Sequence, residues 1–237
     1  MKCVALIAVL ACVFTAPSLA ACAAAAAAPK DFLFEQPPAG TPNFTGKWAM
    51  PKPVRKLLTF DGKAPPLTAA GVKAYAENQA RLKANPKADP VQQCLLHGVP
   101  RLTYSPYPFL ILQTTRSLAF VHEPNHTFRI VYWNEALPED WTANWLGHSS
   151  AKLEGRTLVV DTEGVNSETW LDYSGLPHGD KLKVQERFTL AGPTSIRGEV
   201  TITDPDFYSR PWKAAFTLVK QPGLTIPENT CQDTHQM

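Results

Sequence analysis

From Pro108 onward the chain alternates apolar and polar residues with a period of two, and this constrains the fold more than any other feature. Eight such runs lie near residues 109 to 113, 117 to 122, 127 to 133, 148 to 153, 156 to 162, 182 to 190, 195 to 203 and 211 to 220. Side chains point to opposite faces along a strand, so each run turns one face to a core and the other outward. Short turns such as Glu154-Gly155 separate most of the runs and predict consecutive hairpins. A meander of that many strands leaves exposed edges unless it closes. The expected fold is mainly β, an antiparallel meander closed into a lipocalin-like barrel, with a β-sandwich as the alternative. One helix is expected ahead of the strands. Thr68 can cap it, Val72, Tyr75, Gln79 and Leu82 recur at helical spacing, and Asn85-Pro86 stops it.

The N-terminus carries Lys2, an apolar run from Cys3 to Phe14 and then Pro17. This is the pattern of a secretory signal, expected over residues 1–21. Leu19-Ala20-Ala21-Cys22 fits a bacterial lipobox, in which Cys22 becomes lipidated and residues 22–45 tether a single domain at 46–237 to a membrane leaflet. Cleavage by ordinary signal peptidase, giving a soluble periplasmic product, is the other reading. Either way the location is outside the cytoplasm, in the periplasm or on the envelope of a bacterium. With Cys3, Cys12 and Cys22 set aside, Cys94 and Cys231 remain. In an oxidising compartment they form a disulfide, the alternative being two free or buried thiols. The mature chain, of about 205 residues, is long enough for one sizeable core. Removing Lys2 from the 23 basic residues nearly balances the 21 acidic ones, and no basic stripe with interleaved aromatics appears, which argues against nucleic acid.

Alternation places Glu186 on the apolar face of Val184, Phe188 and Leu190, and His122 on that of Leu118 and Phe120. A carboxylate among aliphatic side chains either meets a cation such as Arg129 or becomes a general acid or base of raised pKa. His148 starts a strand and His178 lies in Leu-Pro-His-Gly-Asp, so both are expected at a barrel rim, where an imidazole can move protons. The alternatives are a surface position for His148 and a loop-fixing bond from His178 to Asp172 or Asp180. His122-Glu123-Pro124-Asn125-His126 matches H-E-x-x-H, but Pro124 and strand-like flanks exclude the helix a zinc protease needs and predict a turn. A metal site of His122, His148 and His178 would need convergence across the barrel. No nucleophile elbow and no phosphate loop are present, so no organic cofactor is expected, and the H-E-x-x-H match and the cysteine spacing predict no metal site of their own. Tryptophans including Trp133, Trp141, Trp145, Trp170 and Trp212 either line a pocket for a flat or greasy ligand or fill the core.

Gly98-Val99-Pro100-Arg101, Pro106-Tyr107-Pro108-Phe109 and the stretch from Gly147-His148-Ser149 to Pro205 add a resemblance. The chain resembles a widespread family of exported bacterial proteins with the pattern G-H-S-x-G-x-W-E-G-D-T-L-V-V-D-T-x-G-F-N, then T-W-L-D, G-x-P-H-S-E, E-R-F, I-x-D-P and R-P-W. It departs from that pattern at Leu153, Arg156 and Gly179-Asp180. The resemblance implies a common fold and an exported location, and no particular activity. Two functions are therefore expected from the residues. One is a cofactor-independent lyase or isomerase acting by proton transfer on an apolar or aromatic small molecule. There Glu186 or His178 takes a proton, His148 returns one, Asp172 orients His178, and Arg129, Asn166, Trp170 and His122 hold substrate. The other is a lipid-anchored binding protein for such a molecule, with a purely structural envelope lipoprotein as a third possibility.

Overall fold

The computed structural model describes Glu35 and residues 37–231; the expected signal and Cys22 lie outside the described residues. Nine strands form a closed barrel in chain order: β1 (Gly46–Ala49), β2 (Phe109–Gln113), β3 (Ser117–His122), β4 (Phe128–Trp133), β5 (His148–Glu154), β6 (Thr157–Glu163), β7 (Lys183–Leu190), β8 (Ser195–Thr203) and β9 (Trp212–Lys220). The barrel closes where β1 pairs with β9 through Trp48↔Lys220 and Ala49↔Val219. Two features depart from a simple meander of eight. The ninth strand is β1, four residues long and set among prolines, too short for its alternation to register. And β4 runs parallel to β5, with Val131 opposite Ser149, so residues 134–147 cross back over the outside of the barrel.

Alternation sorts the side chains as expected. In β9 Trp212, Ala214, Phe216 and Leu218 are buried, and Lys213, Ala215 and Thr217 between them are exposed. Gly198 on β8 faces Phe216 so closely that a Cβ there would lie 2.1 Å from the ring, so the aromatic takes the room that a side chain would fill. The domain also begins before residue 46, because Phe44 belongs to the core and accepts a 2.9 Å hydrogen bond from Trp48 Nε1.

Helix α1 (Ala69–Ala84) starts at Thr68, whose hydroxyl accepts from Gly71 N, and ends at Asn85. Its buried face is rotated from the expected one, keeping Tyr75 and Leu82 half-buried but not Val72 or Gln79. Gly71 and Asn78 are buried while Val72 is exposed, because the helix packs on a polar loop: Asn78 Nδ2 donates to Gly175 O at 2.9 Å. The segment His97–Ser105 is buried at every residue and caps one end of the barrel, with Tyr104 edge-on to Phe216. Cys94 and Cys231 form a disulfide spanning 137 residues and fasten the C-terminal segment beside that cap. The H-E-x-x-H match is a strand end followed by the turn Pro124–His126, whose Asn125 Oδ1 accepts from Cys231 N and whose His126 Nε2 accepts from Asn229 N. That pentapeptide is a dock for the C-terminal segment.

Trp48 is the main inward side chain of the closing strand and is 1% exposed. We expect Trp48→Ala to cost about 3–5 kcal/mol in urea unfolding, because it leaves a large cavity at the joint that completes the barrel. A loss below about 1 kcal/mol would mean that β1 contributes little to closure.

Candidate functional site

The interior of the barrel holds a connected polar cluster. Arg129 on β4 donates from Nε to Ser149 Oγ (2.9 Å), from Nη1 to Glu186 Oε2 (2.6 Å) and from Nη2 to Thr162 Oγ1 (2.6 Å). Glu186 Oε1 accepts from Thr103 Oγ1 of the capping segment at 2.6 Å, and Ser149 and Thr162 bond each other at 3.0 Å. Glu186 is fully buried and each of its oxygens has a donor. Of the two fates open to an inward carboxylate, the structure has the Arg129 pair. Removing one partner from such a pair strands the other charge, whereas replacing both with apolar groups is far milder. Glu186→Gln should cost about 3–5 kcal/mol in urea unfolding and the double change Arg129→Met, Glu186→Leu distinctly less; the reverse order would contradict a structural pair.

The other expected site residues do not gather around Glu186. His148 sits on the outer face of β5, beneath the crossover, stacked on Tyr132 with ring centroids 5.6 Å apart and edge-on to Trp141 at 5.3 Å. It is 6% exposed, its Nε2 has no hydrogen bond, and the nearest carboxylate, Glu135, is 4.0 Å away. His148 lines a hollow of about 410 Å3 whose other walls include Trp141, Trp145, Leu146 and Pro138.

His178 lines a different cleft, of about 720 Å3, with Trp170 and charges of both signs. Both of its nitrogens are engaged: Nδ1 donates to Gly179 O (3.1 Å), so Nε2 accepts from Thr169 Oγ1 (2.7 Å). Burial pushes its pKa down, which keeps the ring neutral. Asp172 does not orient His178. Its oxygens accept from Leu57 N, Ser174 N, Ser174 Oγ and Leu176 N, all within the loop and the segment ahead of α1. Asn166 caps a local turn by accepting from Glu168 N. His122 lies inside the barrel, stacked on Phe109 at 4.8 Å, with Nδ1 lacking a hydrogen bond. Among the described residues no three His, Cys, Asp or Glu side chains come together as metal ligands, so His122, His148 and His178 do not converge.

A third cavity, of about 270 Å3, was not foreseen. It lies beside the capping segment and is lined by His97, Tyr107 and Tyr173 among others. His97 precedes the buried Gly98-Val99-Pro100-Arg101 run, where no periodicity marks a facing direction. Only its place one turn from Cys94 could have flagged it. Burial, reinforced by the Arg101 guanidinium, holds His97 at about 3 against the ordinary 6.5. Burial also lowers His122, with Arg129 and His97 adding to the effect.

These depressed values carry a definite sign. Between about 6.5 and 3 the unfolded chain binds protons that the folded chain refuses, so stability falls as pH drops through that window. Unfolding free energies from urea titrations between pH 7 and 4 should decline, with a limiting slope of about 1.4 kcal/mol per pH unit for each such histidine. His97→Gln should remove one histidine's share; an unchanged slope would show that His97 is not held neutral.

No protein family, curated protein or solved structure matches the chain.

Proposed function

We propose that this is an exported binding protein for an apolar or aromatic small molecule, held in the hollow beneath the β4–β5 crossover with His148 Nε2 as its polar anchor. The observation that carries this reading is a buried imidazole nitrogen without a hydrogen bond, set between aromatic rings in an open apolar hollow. A nitrogen so placed is costly to leave unpaired and gains a partner when a ligand brings a hydroxyl, carbonyl or amine. Beyond the hollow the outer face of β2 to β4 is almost wholly apolar: Leu110, Leu112, Ala119, Val121, Phe128, Ile130 and Tyr132 lie on that side, with Phe128 65% exposed. An exposed apolar strip of this kind suits the entry of a greasy ligand or contact with a membrane leaflet. The Cys94–Cys231 disulfide supports an oxidising, extracytoplasmic location.

Proton-transfer catalysis is the less favoured of the two expectations. Glu186 is committed to Arg129 inside the barrel, His178 has both nitrogens bonded, and His148 lies in a separate hollow.

The test uses 2-naphthol and naphthalene as paired probes, with binding followed by tryptophan fluorescence. Both should saturate. His148→Phe keeps the aromatic stack but removes the anchor, so it should weaken 2-naphthol about three- to tenfold and leave naphthalene unchanged. Trp141→Ala should weaken both. If neither probe saturates, or if His148→Phe affects the two alike, the anchored-ligand reading fails.

A further inference from the structure

The cavity beside His97 is separate from the hollow at His148, and the charged side chain on its walls is Arg55. It lies between the capping segment and the C-terminal segment, and its walls include Arg55, Gln92, His97, Tyr107, Asn125 and Tyr173. No carboxylate lines it. Two acids lie close by and both are engaged: the two oxygens of Asp89 accept from Arg101 Nη1 (2.9 Å) and Nη2 (2.5 Å), and Glu123 Oε1 accepts from Asn229 Nδ2 (3.1 Å). Arg101 in turn lies over the Tyr173 ring at 4.1 Å, placing a second guanidinium behind the wall. Arg55 itself has no carboxylate partner among the described residues.

Two polar atoms on residues of this wall are buried without partners. His97 is 3% exposed and its Nδ1 has no hydrogen bond. Tyr173 Oη is buried and, although Ser105 is close, it makes no hydrogen bond of acceptable geometry. A phenol can donate, a neutral imidazole can present N–H at Nδ1, and Arg55 can donate with charge. Pro53, Val91, Pro106 and Pro124 supply apolar lining beside Asn229 and Cys231. The volume is at the lower bound for organic ligands and suits a single ring or a short chain.

We infer that this cavity binds a small organic monocarboxylate, its carboxylate held by Arg55, Tyr173 Oη and His97 Nδ1 and its apolar body packed against the prolines. A single wall cation, Arg55, matches one negative charge, and the apolar part of the walls favours an organic anion over a bare inorganic one.

Calorimetry on the mature, disulfide-bonded chain at pH 7 tests this with acetate, benzoate and cyclohexanecarboxylate, with benzyl alcohol as the uncharged counterpart and inorganic phosphate as the apolar-free anion. At least one carboxylate should bind with one molecule per chain, at least tenfold more tightly than benzyl alcohol or phosphate. Arg55→Gln and Tyr173→Phe should each weaken it tenfold or more. Arg55 is exposed, so Arg55→Gln should leave the thermal midpoint unchanged and its effect on affinity is free of any folding defect. His148→Phe should leave carboxylate affinity unchanged, and His97→Gln should leave 2-naphthol affinity unchanged, which separates this site from the one at His148. The inference is overturned if no carboxylate binds, if benzyl alcohol or phosphate binds as well, or if Arg55→Gln has no effect.

Discussion

The pair of charges inside the barrel, Arg129 and Glu186, sets the terms for the rest of the molecule. Taking two ions out of water costs several kcal/mol each, and their attraction offsets that only where every remaining donor and acceptor is satisfied. Here each guanidinium nitrogen and each carboxylate oxygen has a partner, drawn from β4, β5, β6, β7 and the capping segment. Ser149, Thr162 and Thr103 are therefore small hydroxyl residues in positions where a purely apolar barrel would carry Val or Leu. Their arrangement also fixes the depth of the capping segment, since Thr103 reaches Glu186 only when His97–Ser105 sits down into the barrel end.

With the interior filled in this way, the three spaces described above lie around the barrel. The hollow at His148, the cleft at His178 and the cavity at His97 each border a long connection: the crossover 134–147, the loop 164–182 and the capping segment. Loops held on a rigid sheet are where binding groups are most easily placed, and here the sheet supplies rigidity while the loops supply chemistry. Buried groups without partners occur in both places: His148 Nε2 under the crossover and His97 Nδ1 in the cap, but also His122 Nδ1 and Trp212 Nε1 inside the barrel.

Much of this was legible in the sequence because period-two alternation is strong over β2 to β9. It placed Glu186, His122 and the β9 apolar residues inward, and it left Arg129 open as the partner of Glu186. Turn chemistry was legible as well: Gly155, at φ +58°, makes the β5–β6 hairpin, and Thr68 caps α1. What escaped had no period. Gly46–Ala49 is too short to alternate visibly, and His97–Ser105 is buried on every side, so neither a strand nor a helix pattern marks it. The helix face was read correctly at Tyr75 and Leu82 but placed too far toward Val72, because contact is also made through Gly71 and Asn78 on a polar loop, which hydrophobicity does not mark. The scattering of the histidines is a matter of long-range topology, which spacing along the chain does not encode.

That topology follows a rule of parity. Around any closed ring of strands, the direction must return to itself, so the number of antiparallel joints has to be even. Eight strands in a meander satisfy this with every joint antiparallel, but nine cannot, and one joint must be parallel. The chain places it between β4 and β5, and a parallel joint obliges the backbone to travel the length of the barrel on the outside before the next strand begins. The crossover that roofs His148 with Trp141 and Trp145 is thus the geometric counterpart of β1. Four residues near the start of the domain, by making the strand count odd, require a roof over a histidine a hundred residues away.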